Sequence, residues 1–126
     1  MNFTTLSRTA LALALGALPS IALAMPPEER VKVKQLVGYI ESLPQTRFVR
    51  NGRSFSAAEA AQFMRLKCEA KMDKLATARE YVEQCFTRSS TTKEVYHLRD
   101  AHGVTKESGV VLNARLDEIE AAARKK

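Results

Sequence analysis

The chain has 126 residues, with 20 Lys and Arg against 14 Asp and Glu, which gives a net charge of +6 at pH 7. Apolar residues form 45% of the sequence, an ordinary share for a globular protein. One small domain fits this length and two do not. The composition excludes a disordered tail, and the sequence contains neither an internal repeat nor a low-complexity tract.

The N-terminal segment has the three parts of a signal peptide. Arg8 precedes an apolar run, a helix-breaking proline follows, and Ala-Leu-Ala at 22–24 matches the A-x-A cleavage pattern. We therefore predict a signal peptide over residues 1–24, cleavage after Ala24, and one small periplasmic domain over residues 25–126. Its net charge would be +5, because the removed segment contains one Arg and no acid. No later apolar run approaches the roughly 20 residues of a membrane span, so we expect none.

The first predicted elements of this domain are a helix and a tight hairpin. Two prolines followed by Glu28 and Glu29 are typical of a helix start. Apolar residues then recur on one face until Leu43-Pro44 ends the helix. Within residues 47–55, Asn51-Gly52 lies between short β-favouring runs. This pair suits the centre of a two-residue turn, which predicts a small hairpin or a strand and turn.

Two further helices are predicted, and each carries one cysteine. Ser56-Ala57-Ala58-Glu59 and Thr77-Ala78-Arg79-Glu80 are capping-box patterns, so a helix is expected to begin at each. Cys68 and Cys85 lie on the apolar faces of these helices, each about two turns from a bend expected near residues 75–77. In an oxidising compartment this arrangement favours a disulfide bond. The alternative is a pair of buried free thiols. A redox-active pair is disfavoured because the spacing is not C-x-x-C.

The rest of the chain is predicted as a loop, one strand and a last helix. Residues 88–93 are polar, residues 94–99 favour a strand, and His102-Gly103 indicates a turn. From Ser108 apolar residues return at every third or fourth position, which predicts a helix. The expected fold is α+β and mostly helical, with about four helices and a small two-stranded β element in a single domain.

Several short motifs are shared with a known family. They are Phe48-Val49-Arg50-Asn51-Gly52, Glu59-Ala60-Ala61, Arg65-Leu66-Lys67, Thr77-Ala78-Arg79-Glu80-Tyr81-Val82, Ser89-Ser90 and Tyr96. On these motifs the chain resembles the YfeK-like family of small exported proteins of Gram-negative bacteria, a domain of unknown function. The chain departs from the family pattern at Phe63-Met64, where His-Leu is usual, and at Lys93-Glu94-Val95-Tyr96, where Gly-x-Pro-Tyr or Gly-Lys-Pro-Tyr is usual. The resemblance implies the location and the fold, but no activity.

The sequence contains no established catalytic or metal-binding motif. His97 and His102, with Asp100 between them, are candidate metal ligands, and Ser89 with His97 and Asp100 can be drawn as a triad. On one strand, positions 97 and 102 would point to opposite faces. We therefore interpret these side chains as polar residues of a turn, and we expect neither an enzyme nor a bound metal or cofactor.

The most informative feature is a basic segment, since no acid lies between Glu41 and Glu59. The candidate anion-binding face consists of five cations on the hairpin and the following helix: Arg47, Arg50, Arg53, Arg65 and Lys67. Arg binds phosphate and carboxylate through paired hydrogen bonds, and neighbouring aromatic rings add stacking. In the periplasm this face would meet an anionic envelope component or an envelope protein, and not nucleic acid.

Two interpretations of this face stay open. In the first, the face contacts an anionic envelope component, and the protein is a binding or accessory module. In the second, the arginines form a solvated surface matched by local ion pairs, for instance Arg50 with Glu59 or Glu80. A separate alternative is a module that binds another protein, such as an enzyme inhibitor. Salt distinguishes these functions, because binding to polyanions weakens steeply with ionic strength and a packed protein interface weakens less.

Overall fold

The structure is a computed structural model that describes residues 25–125, so the predicted signal peptide over residues 1–24 lies outside the described part. The elements follow in the order α1 (Pro27–Glu41), β1 (Arg47–Arg50), β2 (Arg53–Ser56), α2 (Ala57–Glu69), a 3-10 turn (Met72–Lys74), α3 (Ala78–Cys85), β3 (His97–Arg99), β4 (Thr105–Glu107) and α4 (Ser108–Arg124). This order confirms a mainly helical α+β domain. No helix among these is long and apolar enough to cross a membrane.

The β element is larger than the two strands that the sequence predicts. Four antiparallel strands form one sheet in the spatial order β2-β1-β3-β4. Phe48 of β1 lies opposite both Phe55 of β2 and Leu98 of β3. The strand expected over residues 94–99 is shortened to its last three residues. The sequence does not predict β4, because Thr-Lys-Glu at 105–107 has no apolar alternation and is exposed throughout. Its pairing with β3 defines it as a strand.

The signals at the hairpin turn and at the start of α2 are confirmed. Asn51 and Gly52 have φ angles of 50° and 76°, the left-handed values that the two central positions of a type I′ turn require. The Ser56 hydroxyl accepts a hydrogen bond from the Glu59 N–H at 3.1 Å. The Glu59 carboxylate accepts one from the Ser56 N–H at 3.0 Å and so completes the capping box. This second bond lowers the pKa of Glu59 below its usual value.

The capping pattern at the start of α3 is realised only in part. The Thr77 hydroxyl accepts from the Glu80 N–H at 3.1 Å, but the Glu80 carboxylate accepts from the Ala76 N–H, one residue before the cap. The Ala78 N–H donates to the Glu29 carboxylate at 2.9 Å. An N–H that the first turn of a helix leaves unpaired is thereby satisfied by a side chain of α1.

The helices cover one face of the sheet and meet in a single core. α2 packs on β1 and β2, and α4 packs on β3 and β4. The apolar faces that the sequence predicts supply fully buried residues, among them Leu36, Ala61, Met64, Val82, Leu112 and Leu116. Cys68 and Cys85 are buried among them, with Cα atoms 6.1 Å apart and sulfurs within bonding distance. This geometry confirms the predicted pairing of the two cysteines.

Candidate functional site: a basic groove

A groove of about 430 Å³ lies where the β1–β2 turn, α2 and the segment before β3 meet. We call it the basic groove, and its lining residues are Arg50, Asn51, Phe63, Leu66, Lys67, Ser89, Ser90, Thr91 and Tyr96. Two aromatic rings, two cations and a hydroxyl-rich loop therefore face one open space. This combination of apolar surface with a few convergent polar groups is typical of ligand sites.

Arg50 reaches the groove from the last position of β1. Its guanidinium carbon lies 3.9 Å from the centroid of the Phe63 ring and 5.4 Å from that of Phe55. At these distances the ring quadrupoles attract the cation. The Nε atom of Arg50 is buried and has no hydrogen-bond partner within residues 25–125. Aromatic packing thus holds the guanidinium, and because Nε is buried, hydrogen bonds to a ligand would come from the two terminal NH2 groups.

Lys67 places a second cation above the same ring. Its ammonium group lies 5.8 Å from the Phe63 centroid and 5.0 Å from the Tyr96 centroid. It donates a hydrogen bond to the Tyr96 hydroxyl at 2.9 Å, and the Tyr96 ring in turn meets Phe48 edge-on, with centroids 5.1 Å apart. No carboxylate of the described chain forms an ion pair with Lys67 or Arg50.

The loop opposite Arg50 is ordered by its own hydroxyl groups. Ser89 is buried, and its hydroxyl accepts hydrogen bonds from the N–H groups of Thr91 and Thr92 at 3.3 and 3.2 Å. The Thr92 hydroxyl donates to the Asn51 side-chain oxygen at 2.6 Å and so ties the loop to the hairpin turn. The two walls of the groove are therefore fixed to each other, which lowers the entropy that binding would cost.

The five predicted site cations are distributed over four places. Arg50 and Lys67 converge in the basic groove. Arg53 lies opposite Arg50 in the hairpin register, so both are on the same face of the sheet, but Arg53 is exposed and does not line the groove. Arg47 is on the opposite face and donates to the Ser54 hydroxyl at 3.0 Å. Arg65 pairs with Glu41 and lines a different cavity.

The expectation that all five cations share one face is therefore wrong for Arg47 and Arg65. The alternative pairing of Arg50 with Glu59 or Glu80 is not found either. Glu59 is engaged in the capping box, and Glu80 accepts from a backbone N–H at the start of α3. Arg50 is half-buried between two rings, whereas the sequence indicated a surface residue.

Phe63, Tyr96 and the loop over residues 89–91 are site components that sequence reasoning does not assign to the face. One signal was available for Phe63, because residues four apart on a helix are neighbours and Lys67 follows Phe63 at that distance. Tyr96 and the loop carry no such signal. They are brought to the groove by the pairing of β3 with β1, a contact between residues distant in sequence.

Two residues considered for catalysis or metal binding, Asp100 and Ser89, stabilise their own turns by hydrogen bonds. The Asp100 carboxylate accepts from the N–H groups of His102 and Val104 at 2.9 and 3.0 Å, and the bond from Val104 lowers its pKa. The Ser89 hydroxyl is engaged with its own loop. Within the described residues, no three His, Cys, Asp or Glu side chains are grouped so that they could hold a metal ion.

Comparison with known proteins supplies a family for this helix-covered four-stranded domain. A family described as a family of unknown function, DUF5329, matches residues 27–120, and the chain belongs to this family. No curated protein and no solved structure gives a significant match. The matched segment includes every residue that lines the basic groove, so the groove is part of the family domain.

Proposed function

We propose that this protein is a non-catalytic binding module of the bacterial periplasm, and that its basic groove takes a phosphate or carboxylate group of an envelope component. The observation that carries the proposal is the convergence of Arg50 and Lys67 over one Phe63 ring without a carboxylate partner among the described residues. The Arg50 guanidinium carbon and the Lys67 ammonium lie 3.9 and 5.8 Å from the Phe63 ring centre, so the two cations are less than about 10 Å apart.

Two like charges that line one groove repel each other, most strongly at low salt, and an anion bound between them would remove that repulsion. Contact with the Phe63 ring holds the Arg50 guanidinium in place, and its two terminal NH2 groups are left for paired hydrogen bonds to phosphate or carboxylate. Lys67 adds a point charge, and the Ser90 and Thr91 hydroxyls line the same groove. A ligand with one anionic group and neighbouring hydroxyl or amide groups suits this lining.

The location is supported by the signal-peptide pattern that ends at Ala24 and by the likeness of the chain to the exported YfeK-like family. It is further supported by the paired cysteines, because disulfides persist in oxidising compartments such as the periplasm. Outside the cytoplasm, phosphates of lipopolysaccharide and carboxylates of peptidoglycan are the abundant fixed anions. These two classes are the proposed ligands of the groove.

The proposal is tested by titrating the purified protein with peptidoglycan fragments and with lipopolysaccharide at low and at physiological salt. Arg50→Gln and Lys67→Gln should each weaken binding about tenfold or more. Arg47→Gln is the matched control, since it removes an Arg from the same hairpin but from the opposite face of the sheet. Gln is preferred to Glu at position 50 because a carboxylate between two aromatic rings would also destabilise the fold. If the wild type binds neither probe at low salt, the proposal is wrong.

A second candidate function is a protein-binding module such as an enzyme inhibitor. Leu66 is compatible with it, because this side chain is 71% exposed on the rim of the groove, where a partner protein would bury it. The salt series separates the two functions. A polyanion ligand should be lost at physiological salt far more readily than a packed protein partner.

A further inference from the structure

A second cavity lies between α1, α2 and α3 and has a different lining from the basic groove. Its volume is about 290 Å³, near the lower end of the range for small-molecule sites. Val33 and Val37 of α1, Met72 and the Tyr81 ring form its apolar walls. We call this cavity the Tyr81 slot.

Tyr81 contributes a hydroxyl group to this apolar environment. The side chain is only 2% exposed, and its hydroxyl makes no hydrogen bond with any residue from 25 to 125. The hydroxyl interacts electrostatically with Arg65 and Glu69, which line the same cavity. Burial raises the pKa of Tyr81 to about 12, so the hydroxyl stays protonated and can donate. The hydroxyl oxygen is not completely shielded from solvent, so a ligand in the slot can reach it.

The charged residues around the slot favour an anion. Arg30, Lys34 and Arg65 line it against one acid, Glu69. Arg65 is compensated by Glu41, and Arg30 lies 3.5 Å from the well-exposed Asp73, a weak surface pair. Lys34 has no ion pair in the part of the chain that the structure describes. The Lys34 ammonium group and the Tyr81 hydroxyl are therefore available to interact with a ligand.

We propose that the Tyr81 slot binds a small carboxylate with an aliphatic body. One carboxylate oxygen accepts from the Tyr81 hydroxyl and the other is attracted by Lys34, while the hydrocarbon packs against Val33, Val37 and Met72. A short chain is implied, because the slot is about two thirds as large as the basic groove. This site is separate from the basic groove and does not depend on the function proposed for it.

The test is isothermal titration of the purified protein with octanoate, and with 1-octanol as the matched neutral probe. Octanoate should bind the wild type more tightly than 1-octanol does. Tyr81→Phe keeps the ring and removes only the donor, so it should weaken octanoate binding about tenfold. Lys34→Gln should weaken it as well and reduce its salt dependence. Arg50→Gln in the basic groove should leave octanoate binding unchanged.

Three results would overturn this proposal. They are no octanoate binding by the wild type, equal octanoate affinity in Tyr81→Phe and the wild type, and loss of octanoate binding in Arg50→Gln. The last result would assign octanoate to the basic groove. Circular dichroism verifies the fold of each variant. If Tyr81→Phe does not fold, the exposed Lys34→Gln substitution carries the test, and unchanged affinity in that variant counts against the slot.

Discussion

Arg50 is positioned by packing and not by ion pairing, and this difference determines what its guanidinium can do. The guanidinium lies close to the rings of Phe63 and Phe55, and no carboxylate of the described residues forms an ion pair with it. An arginine matched inside the fold would have no need of an external anion. The stacking of Arg50 therefore supports a binding role more strongly than its position in a basic segment of sequence.

The role of the Phe63 ring can be measured by Phe63→Leu. We expect this change to lower the free energy of unfolding by about 1 kcal/mol, because a cation–π contact is lost and an apolar side chain is kept. Binding of the anionic probes should weaken too, since Arg50 would no longer be held. Urea unfolding and titration measure the two effects. Phe63→Tyr is the control that keeps the ring and should behave like the wild type, whereas unchanged binding in Phe63→Leu would show that the ring does not position Arg50.

The separation of Arg47 from Arg50, and of Arg65 from Lys67, follows from simple periodicity. Arg47 and Arg50 are three residues apart on one strand, so they point to opposite faces. Arg65 and Lys67 are two residues apart on a helix, which separates them by roughly 200° around the axis. These periods show that the five cations cannot all share one face, but which of them meet, and that Arg53 stays outside the groove, depends on how α2 packs on the hairpin.

At the scale of elements, the predictions succeed where the signal is local. The capping box at Ser56, the Asn51-Gly52 turn and the apolar faces of the four helices are each encoded within a few residues, and each is found. β4 and the extension of the sheet are not encoded locally. They depend on β3 pairing with β1 across about 50 residues of chain, and no periodicity within residues 105–107 indicates it.

The disulfide between α2 and α3 is an element-scale feature with a measurable effect on stability. The bond closes a loop with a sequence separation of 17, for which loop-closure entropy predicts about 3 kcal/mol. We expect the double variant Cys68→Ala, Cys85→Ala to lose about that much unfolding free energy in urea denaturation. The matched control is the wild type with its disulfide reduced throughout the denaturation series. This reduced protein should lose a similar amount of unfolding free energy. Equal stability of the oxidised wild type and the double variant would contradict the expectation.

At the scale of the whole molecule, α1, α3 and α4 are joined by one polar network. The Lys32 ammonium donates to Glu29 at 2.6 Å and to Glu120 at 3.0 Å. Arg79 of α3 pairs with Glu120 at 2.7 Å and also with Asp117. Glu120 of α4 therefore receives hydrogen bonds from two cations on two other helices. This network fixes α1 and α3, two of the three helices that enclose the Tyr81 slot, to the helix that covers β3 and β4.

The same network predicts how stability depends on pH. Hydrogen bonds from Lys32 and then from Arg79 hold the pKa of Glu120 below its ordinary value of 4.5. Burial acts to raise the pKa of Glu29, but the bonds from Lys32 and the Ala78 N–H outweigh it, and the net shift is downward. A carboxyl group whose pKa is lower in the folded state stabilises the fold above its unfolded pKa. That stabilisation is lost as the pH falls through the folded pKa. We therefore expect unfolding free energy to fall as the pH drops below about 4.5.

The substitution Glu120→Gln measures how much the charge of the Glu120 carboxylate contributes to stability. The side chain is 25% exposed, so we expect the variant to be about 1 kcal/mol less stable than the wild type at pH 7. The difference should shrink as the pH falls through the lowered pKa of Glu120, because protonation then removes the same charge from the wild type. Glu118→Gln is the matched control on the same helix, since Glu118 pairs only with the nearby Arg115 at the surface. Urea unfolding at pH 7, 5, 4 and 3 measures all three proteins. A constant difference between Glu120→Gln and the wild type across this series would show that the charge of Glu120 does not hold the three helices together.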